Sequence, residues 1–167
     1  MDFSYKIIDD GTFCITSYRG SVEHVVIPHN INATVLFDDL FKGHTEISSV
    51  KIPETITDIG GFVFDGCTNI KEIILPPNLI NMWQYAMTRC GIESISIPGS
   101  VSSIIPFTFN QCKDLKTVTF SEGTTRICAW AFKDCTSLRD VYLPKSLIDI
   151  SKLAFEGCES VTLHKGI

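Results

Sequence analysis

The residues best suited to chemistry in this 167-residue chain are seven cysteines (Cys14, Cys67, Cys90, Cys112, Cys128, Cys135 and Cys158) and four histidines (His24, His29, His44 and His164). Thiols can form disulfides, bind metal or act as nucleophiles. Seven is an odd number, and no C-x-x-C occurs, which argues against a disulfide framework and against a zinc module. Five of the cysteines keep a beat: the steps Cys67 to Cys90, Cys112, Cys135 and Cys158 are 23, 22, 23 and 23 residues. If each step is one turn of a stacked chain, the five thiols lie in a line about 4.8 Å apart. Zinc needs four ligands around one point, which a line does not supply. Disulfides between neighbours need Cβ atoms about 3.5–4.5 Å apart, closer than in-register parallel strands bring them. The expected role is a small buried thiol that fills a tight turn and donates weakly to a backbone carbonyl. Cys128 and Cys14 fall outside the line and are the candidate reactive thiols. The histidines are scattered, and no carboxylate pair accompanies them at ligand spacing. No Gly-rich phosphate loop, G-x-S-x-G or Cys/His pair stands out. The expectation is a protein with no catalytic, metal or cofactor residues.

The elements that carry this beat are visible in other markers. A β-branched strand ending in proline recurs as "VVIP" to Pro28, "VKIP" to Pro53, "IILP" to Pro76, "ISIP" to Pro98 and "VYLP" to Pro144, with "VTFS" to Ser121 in between. Phe64, Phe109, Phe132 and Phe155 sit three before their cysteines, with Met87 in that place once. In the first copy Phe41 keeps its place and His44 stands for the cysteine. Apolar columns follow, such as Ile47, Ile70, Ile92, Leu115 and Leu138. One unit cannot bury its apolar face alone, but stacked units can. About 23 residues are too few for a strand, a full helix and two loops. The return arm is therefore expected to be irregular or a turn or two of 3₁₀ helix. The class expected is an α/β-type repeat solenoid of about six coils over 25–167, with short parallel strands along one face. Residues 1–24 are read as an N-terminal β-hairpin cap turning at Asp10-Gly11 and covering the first coil's open edge.

Composition bounds the partners. The chain is 44% hydrophobic and 20% charged, with a net charge of −5, so no nucleic acid is expected. No apolar run approaches a membrane span. The opening "MDFSYKIIDDG" lacks a basic stretch ahead of an apolar one, so no signal peptide is read in it.

The segment "ICAWAFKDCTSLRDVYLP" (Ile127 to Pro144) and its copies resemble the BspA-like class of leucine-rich repeats. The opening "YKIIDDGTFCITSYRGSVEHVVIP" resembles the segment that often precedes the first repeat in that class. The resemblance implies a leucine-rich solenoid, protein binding in an adhesin-like role, and a cell-surface or secreted setting.

Two surfaces follow from the repeat. Lys51, Glu72, Ile74, Ser96, Thr119, Asp140 and Tyr142 fall on the strands' outward positions and are the candidate partner-binding residues of the concave face. Two before each repeat Phe lie Asp39, Phe62, Tyr85, Phe107, Trp130 and Leu153. Phe62, Tyr85, Phe107 and Trp130 would form a self-association ridge if exposed, and outer core if tucked over the coil beneath. The leading function is therefore a non-catalytic module for an unidentified protein partner. The alternative is a structural solenoid that forms a homodimer or larger assembly through this ridge or through the strand edge at Val161 to Leu163.

Overall fold

A computed structural model describes residues 2–166. Fourteen short strands and their turns wind as a solenoid. β1 (Asp2–Ile7) and β2 (Phe13–Arg19) form an antiparallel hairpin. β3 (His24–Val26) and β4 (Ala33–Leu36) belong to the first turn, and β5 (Ser49–Lys51) and β6 (Asp58–Ile59) to the second. β7 (Asn81–Met82) lies in the third turn, and β8 (Ser94–Ile97) and β9 (Ser103–Ile104) in the fourth. β10 (Thr117–Phe120) and β11 (Arg126–Ile127) make the fifth, β12 (Asp140–Leu143) and β13 (Asp149–Ile150) the sixth, and β14 (Thr162–Lys165) starts a seventh.

The β-branched runs form the long-strand column, in parallel register: Val25 opposite Val50, and Ile95, Val118, Val141 and Leu163 in succession. Their first and third apolar residues turn inward and the middle one outward, as the strand period requires. Proline then ends each strand, because it has no N–H for the ladder.

The return arm differs from the expected irregular or 3₁₀ path. Among the described residues there is no helix of either kind. The first six turns instead each make a second, two-to-four-residue strand; β4, β6 and β7 stack in parallel on β2 of the hairpin, and β9, β11 and β13 stack on one another. The arm beyond them is also laddered. Phe41 N–H donates to the Val63 carbonyl (2.9 Å), Phe64 to Ala86 (2.8 Å) and Phe132 to Ala154 (2.9 Å). The architecture is a β-solenoid, and the helical half of the α/β label has no counterpart. A 23-residue turn satisfies its backbone groups by pairing with its neighbours, where a helix would satisfy them internally.

Such a tight arm takes two left-handed corners in each of the first five turns and one, at Gly157, in the sixth. Asp39, Phe62, Tyr85, Phe107 and Trp130 form one column, at φ 58–66°. Gly43, Gly66, Arg89, Gln111, Asp134 and Gly157 form the other. At Gly91 the turn is one residue shorter, and a Cβ there would overlap the Thr68 carbonyl, so only glycine lets the shortened turn close.

The core runs the length of the stack. Phe41, Phe64, Phe109 and Phe132 are fully buried, with Met87 filling the gap between Phe64 and Phe109. Phe109 and Phe132 stack at 4.9 Å and Phe132 and Phe155 at 5.5 Å. The hairpin lies elsewhere than on the long-strand column. β2 packs parallel on β4 and so closes the second sheet, leaving β3 paired only with β5 among the described strands.

Candidate functional site

The long-strand column presents its outward positions to solvent. Lys51, Glu72, Ser96 and Thr119 are exposed, Ile74 is 78% exposed and Tyr142 44%, while Asp140 is half-buried. The structure divides this row. Lys51, Glu72 and Ile74 line one groove of about 1090 Å³, together with His24, His29, Val26, Glu54 and the Pro76-Pro77 pair. Ser96, Thr119, Asp140 and Tyr142 lie beyond it, on the flat sheet of β8, β10, β12 and β14. There Nε2 of His164 sits 2.7 Å from Oδ1 of Asp140, and its ring stacks on Tyr142 at 4.5 Å.

The groove exists because the ladder is interrupted. β3 and β5 form a separate two-stranded sheet, and the next turn joins the four-stranded one at the Glu72–Ser94 bridge and through the Glu93 N–H, which donates to the Lys71 carbonyl (2.9 Å). No backbone hydrogen bond joins Ser48–Ile52 to Lys71–Leu75 among the described residues. Asn69 Nδ2 donates to the Thr45 carbonyl (2.7 Å) and Asn78 Nδ2 to Glu54 (3.3 Å), so the turns meet again on either side of the gap. In β5, Ser49 N–H and the Lys51 carbonyl bond toward the first turn. Strand alternation therefore aims the N–H and C=O of Val50 into the gap. The sequence reading reached Lys51, Glu72 and Ile74 but not the break itself. Its one visible correlate is the doubled proline, unique among the repeat's strand ends.

The thiols take the structural role expected of them. Sγ of Cys67 donates to the Phe41 carbonyl (3.0 Å), Cys112 to Met87 (2.9 Å), Cys135 to Phe109 (3.0 Å) and Cys158 to Phe132 (3.2 Å). Cys90, next to the shortened turn, reaches the Cys67 carbonyl instead, at 3.7 Å. All seven cysteines are unbonded to one another. Burial pushes the Cys90 thiol up to about 12, and pushes Cys67 and Cys112 above the ordinary range too. Protonated thiols are poor nucleophiles and poor ligands. Cys14 is buried and its thiol is also raised by burial. Cys128 is half-buried, with Sγ 3.7 Å from the Ser103 hydroxyl.

The aromatic ridge is a ladder of stacked rings. Phe62 and Tyr85 stack at 4.9 Å, Tyr85 and Phe107 at 5.1 Å, and Phe107 and Trp130 at 5.5 Å, within 11° of parallel. Each ring is half-buried, because its faces cover one another and leave only edges to solvent. Lys42 Nζ closes one end, 4.6 Å from the Phe62 centroid, and the Trp130 indole N–H donates to Glu156 at the other. The stacking offsets the cost of holding four bulky residues in the left-handed region.

Comparison with known proteins gives one family and several solved structures. The profile described as a BspA type leucine rich repeat region matches six copies over residues 34–162. A leucine-rich repeat protein of T. pallidum is 27% identical, with a TM-score of 0.80 over 90% of this chain and 79% of its own. One from Bacteroides ovatus is 20% identical, with a TM-score of 0.67, and this chain covers 98% of itself but 52% of that protein. A leucine rich cell surface protein of Faecalibacterium prausnitzii is 16% identical, with a TM-score of 0.50 over 98% of this chain and 74% of its own. No curated protein matches the sequence.

Proposed function

This chain belongs to the BspA-type leucine-rich repeat family, and on that premise we propose that it is a non-catalytic protein-interaction module, adhesin-like in role, that binds through its long-strand face. Repeat proteins of this kind are generally protein-interaction modules, and extended sheet faces are where they bind. The observation that carries the reading is the groove at the interrupted ladder. Unpaired main-chain groups beside apolar side chains suit an extended segment of a protein partner, whose own backbone continues the ladder. Ile74 supplies the apolar contact, and Lys51 and Glu72 supply opposite charges on the two lips. Ser96, Thr119, Asp140 and Tyr142 extend the contact along the sheet. Self-association through the ridge is the weaker reading, because the rings of Phe62, Tyr85, Phe107 and Trp130 spend their faces on one another.

The test is affinity capture with the chain as bait, followed by mass spectrometry and repeated with Ile74→Asp and Tyr142→Ala. Both side chains are exposed, so both variants should melt within a degree or two of the parent. The reading expects Ile74→Asp to lose the captured partner and Tyr142→Ala to weaken it. Capture that survives both changes removes this face from consideration.

A further inference from the structure

A second surface feature lies on the opposite ladder and owes nothing to the groove. The chain continues the second sheet one residue past β4, β6 and β7. Phe37 N–H donates to the Ile15 carbonyl (2.9 Å), Gly60 to Leu36 (2.8 Å) and Trp83 to Ile59 (2.9 Å). Phe37, Gly60 and Trp83 therefore share one column on successive turns. Leu36, Ile59 and Met82 before them are buried, so alternation sends this column outward. Phe37 is 48% exposed and Trp83 52%, with a glycine between them. Two rungs separate the aromatic residues, about 9.6 Å. That backbone spacing leaves room for a flat group, which touches a ring on each side when the ring planes stand roughly 7–8 Å apart.

The slot has a charged floor. Oδ1 of Asp38 accepts the Gly61 N–H at 2.8 Å, and the carboxylate folds over Gly60. A Cβ on Gly60 would lie 2.5 Å from that oxygen, 2.8 Å from the Asp38 backbone nitrogen and 2.9 Å from the Leu36 carbonyl, so glycine is what admits Asp38 to this place, and Asp38 in turn buries Gly60. Asp58 stands on the same face two residues earlier, its oxygens held by Thr57 (2.7 Å) and Asn81 (2.8 Å). Among the described residues no lysine or arginine forms an ion pair with Asp38 or Asp58. Two half-exposed aromatic groups flanking an unneutralised carboxylate make a surface complementary to a cation.

We propose that Phe37, Trp83 and Asp38 form a binding site for an arginine side chain presented by a partner protein. The guanidinium lies between the two aromatic groups, on the solvent side of the Asp38 carboxylate that covers Gly60, and pairs with it. Arginine fits better than lysine for physical reasons. Its head is planar and weakly hydrated, stacks on aromatic faces, and donates two N–H groups in parallel to a carboxylate.

The test titrates Nα-acetyl-L-arginine amide into the ¹⁵N-labelled full chain at low ionic strength, following the Gly60 and Gly61 amides and the Trp83 indole. Saturable shifts at these three signals are expected, with a millimolar Kd. The neutral isostere Nα-acetyl-L-citrulline amide should bind at least tenfold more weakly, and the lysine amide at least threefold. Asp38→Asn keeps an acceptor for Gly61, and Trp83→Leu keeps the backbone ladder, so both should fold. Each should weaken arginine binding at least fivefold without changing the melting temperature by more than about 2 °C. No shift at 50 mM, equal affinity for citrulline, or unchanged affinity in Trp83→Leu overturns the proposal. Equal affinity for the lysine amide overturns the assignment to a guanidinium.

Discussion

The buried thiols make stability fall at alkaline pH, by an amount the structure sets. Burial holds the Cys90 thiol near 12 in the folded chain, whereas an open thiol titrates near 9.0. Below pH 9 the thiol is protonated in both states and its full contribution to stability is present. Between pH 9 and 12 the unfolded chain releases a proton that the folded chain keeps, so stability falls as pH rises. At pH 10 the unfolded thiol is about ten-elevenths ionised and the folded one about one-hundredth, a difference of about 1.4 kcal/mol for this residue alone. Cys67 and Cys112 are as deeply buried and are shifted the same way. Their losses add to that of Cys90, against the roughly 5–15 kcal/mol that holds a domain folded. The assay is urea unfolding followed by circular dichroism at pH 7.5, 9 and 10, for the parent and for Cys90→Ala. At pH 7.5 the variant should be the less stable by about 1–2 kcal/mol, from the cavity it leaves. By pH 10 that gap should shrink by about 1.4 kcal/mol, because the variant has one fewer proton to lose. Other titrating groups cancel in the comparison. A gap that stays constant across the pH range would refute the reasoning and mean that the thiol titrates alike in both states.

Two further outcomes test the corners of the return arm. Gln111 sits at φ 56° in a column where Gly43, Gly66 and Gly157 stand in other turns. Gln111→Gly relieves about 1–2 kcal/mol of left-handed strain and adds about 0.4–1 kcal/mol of unfolded-state entropy. A net gain of about 0.5–1 kcal/mol is expected in the urea midpoint, and a loss would refute the strain argument. Asp65 is 1% exposed and receives Arg89 Nε and Nη2 at 2.8 Å each. Arg89→Met strands that carboxylate and should cost about 2–3 kcal/mol by the same measurement, with a change below about 0.5 kcal/mol counting against a stabilising pair.

The sequence alone determined the stack. Phe-x-x-Cys, the β-branched strand and its proline recur at 22–23 residues, and equal spacing of equal side chains leaves them no arrangement but columns. The burial of Ile47, Ile70, Ile92, Leu115 and Leu138, and the bond from each column thiol to a backbone carbonyl, were legible for that reason. Spacing says which residues are equivalent, but not how the backbone between them satisfies its hydrogen bonds. The second sheet was therefore missed: two-residue strands such as Asp58–Ile59 carry too little pattern to be read, and they form because the neighbouring turn offers partners. The stacked rings of Phe62, Tyr85, Phe107 and Trp130 were legible as a column, while their half-burial came from the left-handed corners that lay each ring on the next. Only the tertiary structure decided where the ladder opens between β5 and Glu72, and that Gly60 leaves room for Asp38 between Phe37 and Trp83. Both are relations between turns some 23 or more residues apart, set by how closely two backbones approach, and no local run of side chains encodes that distance.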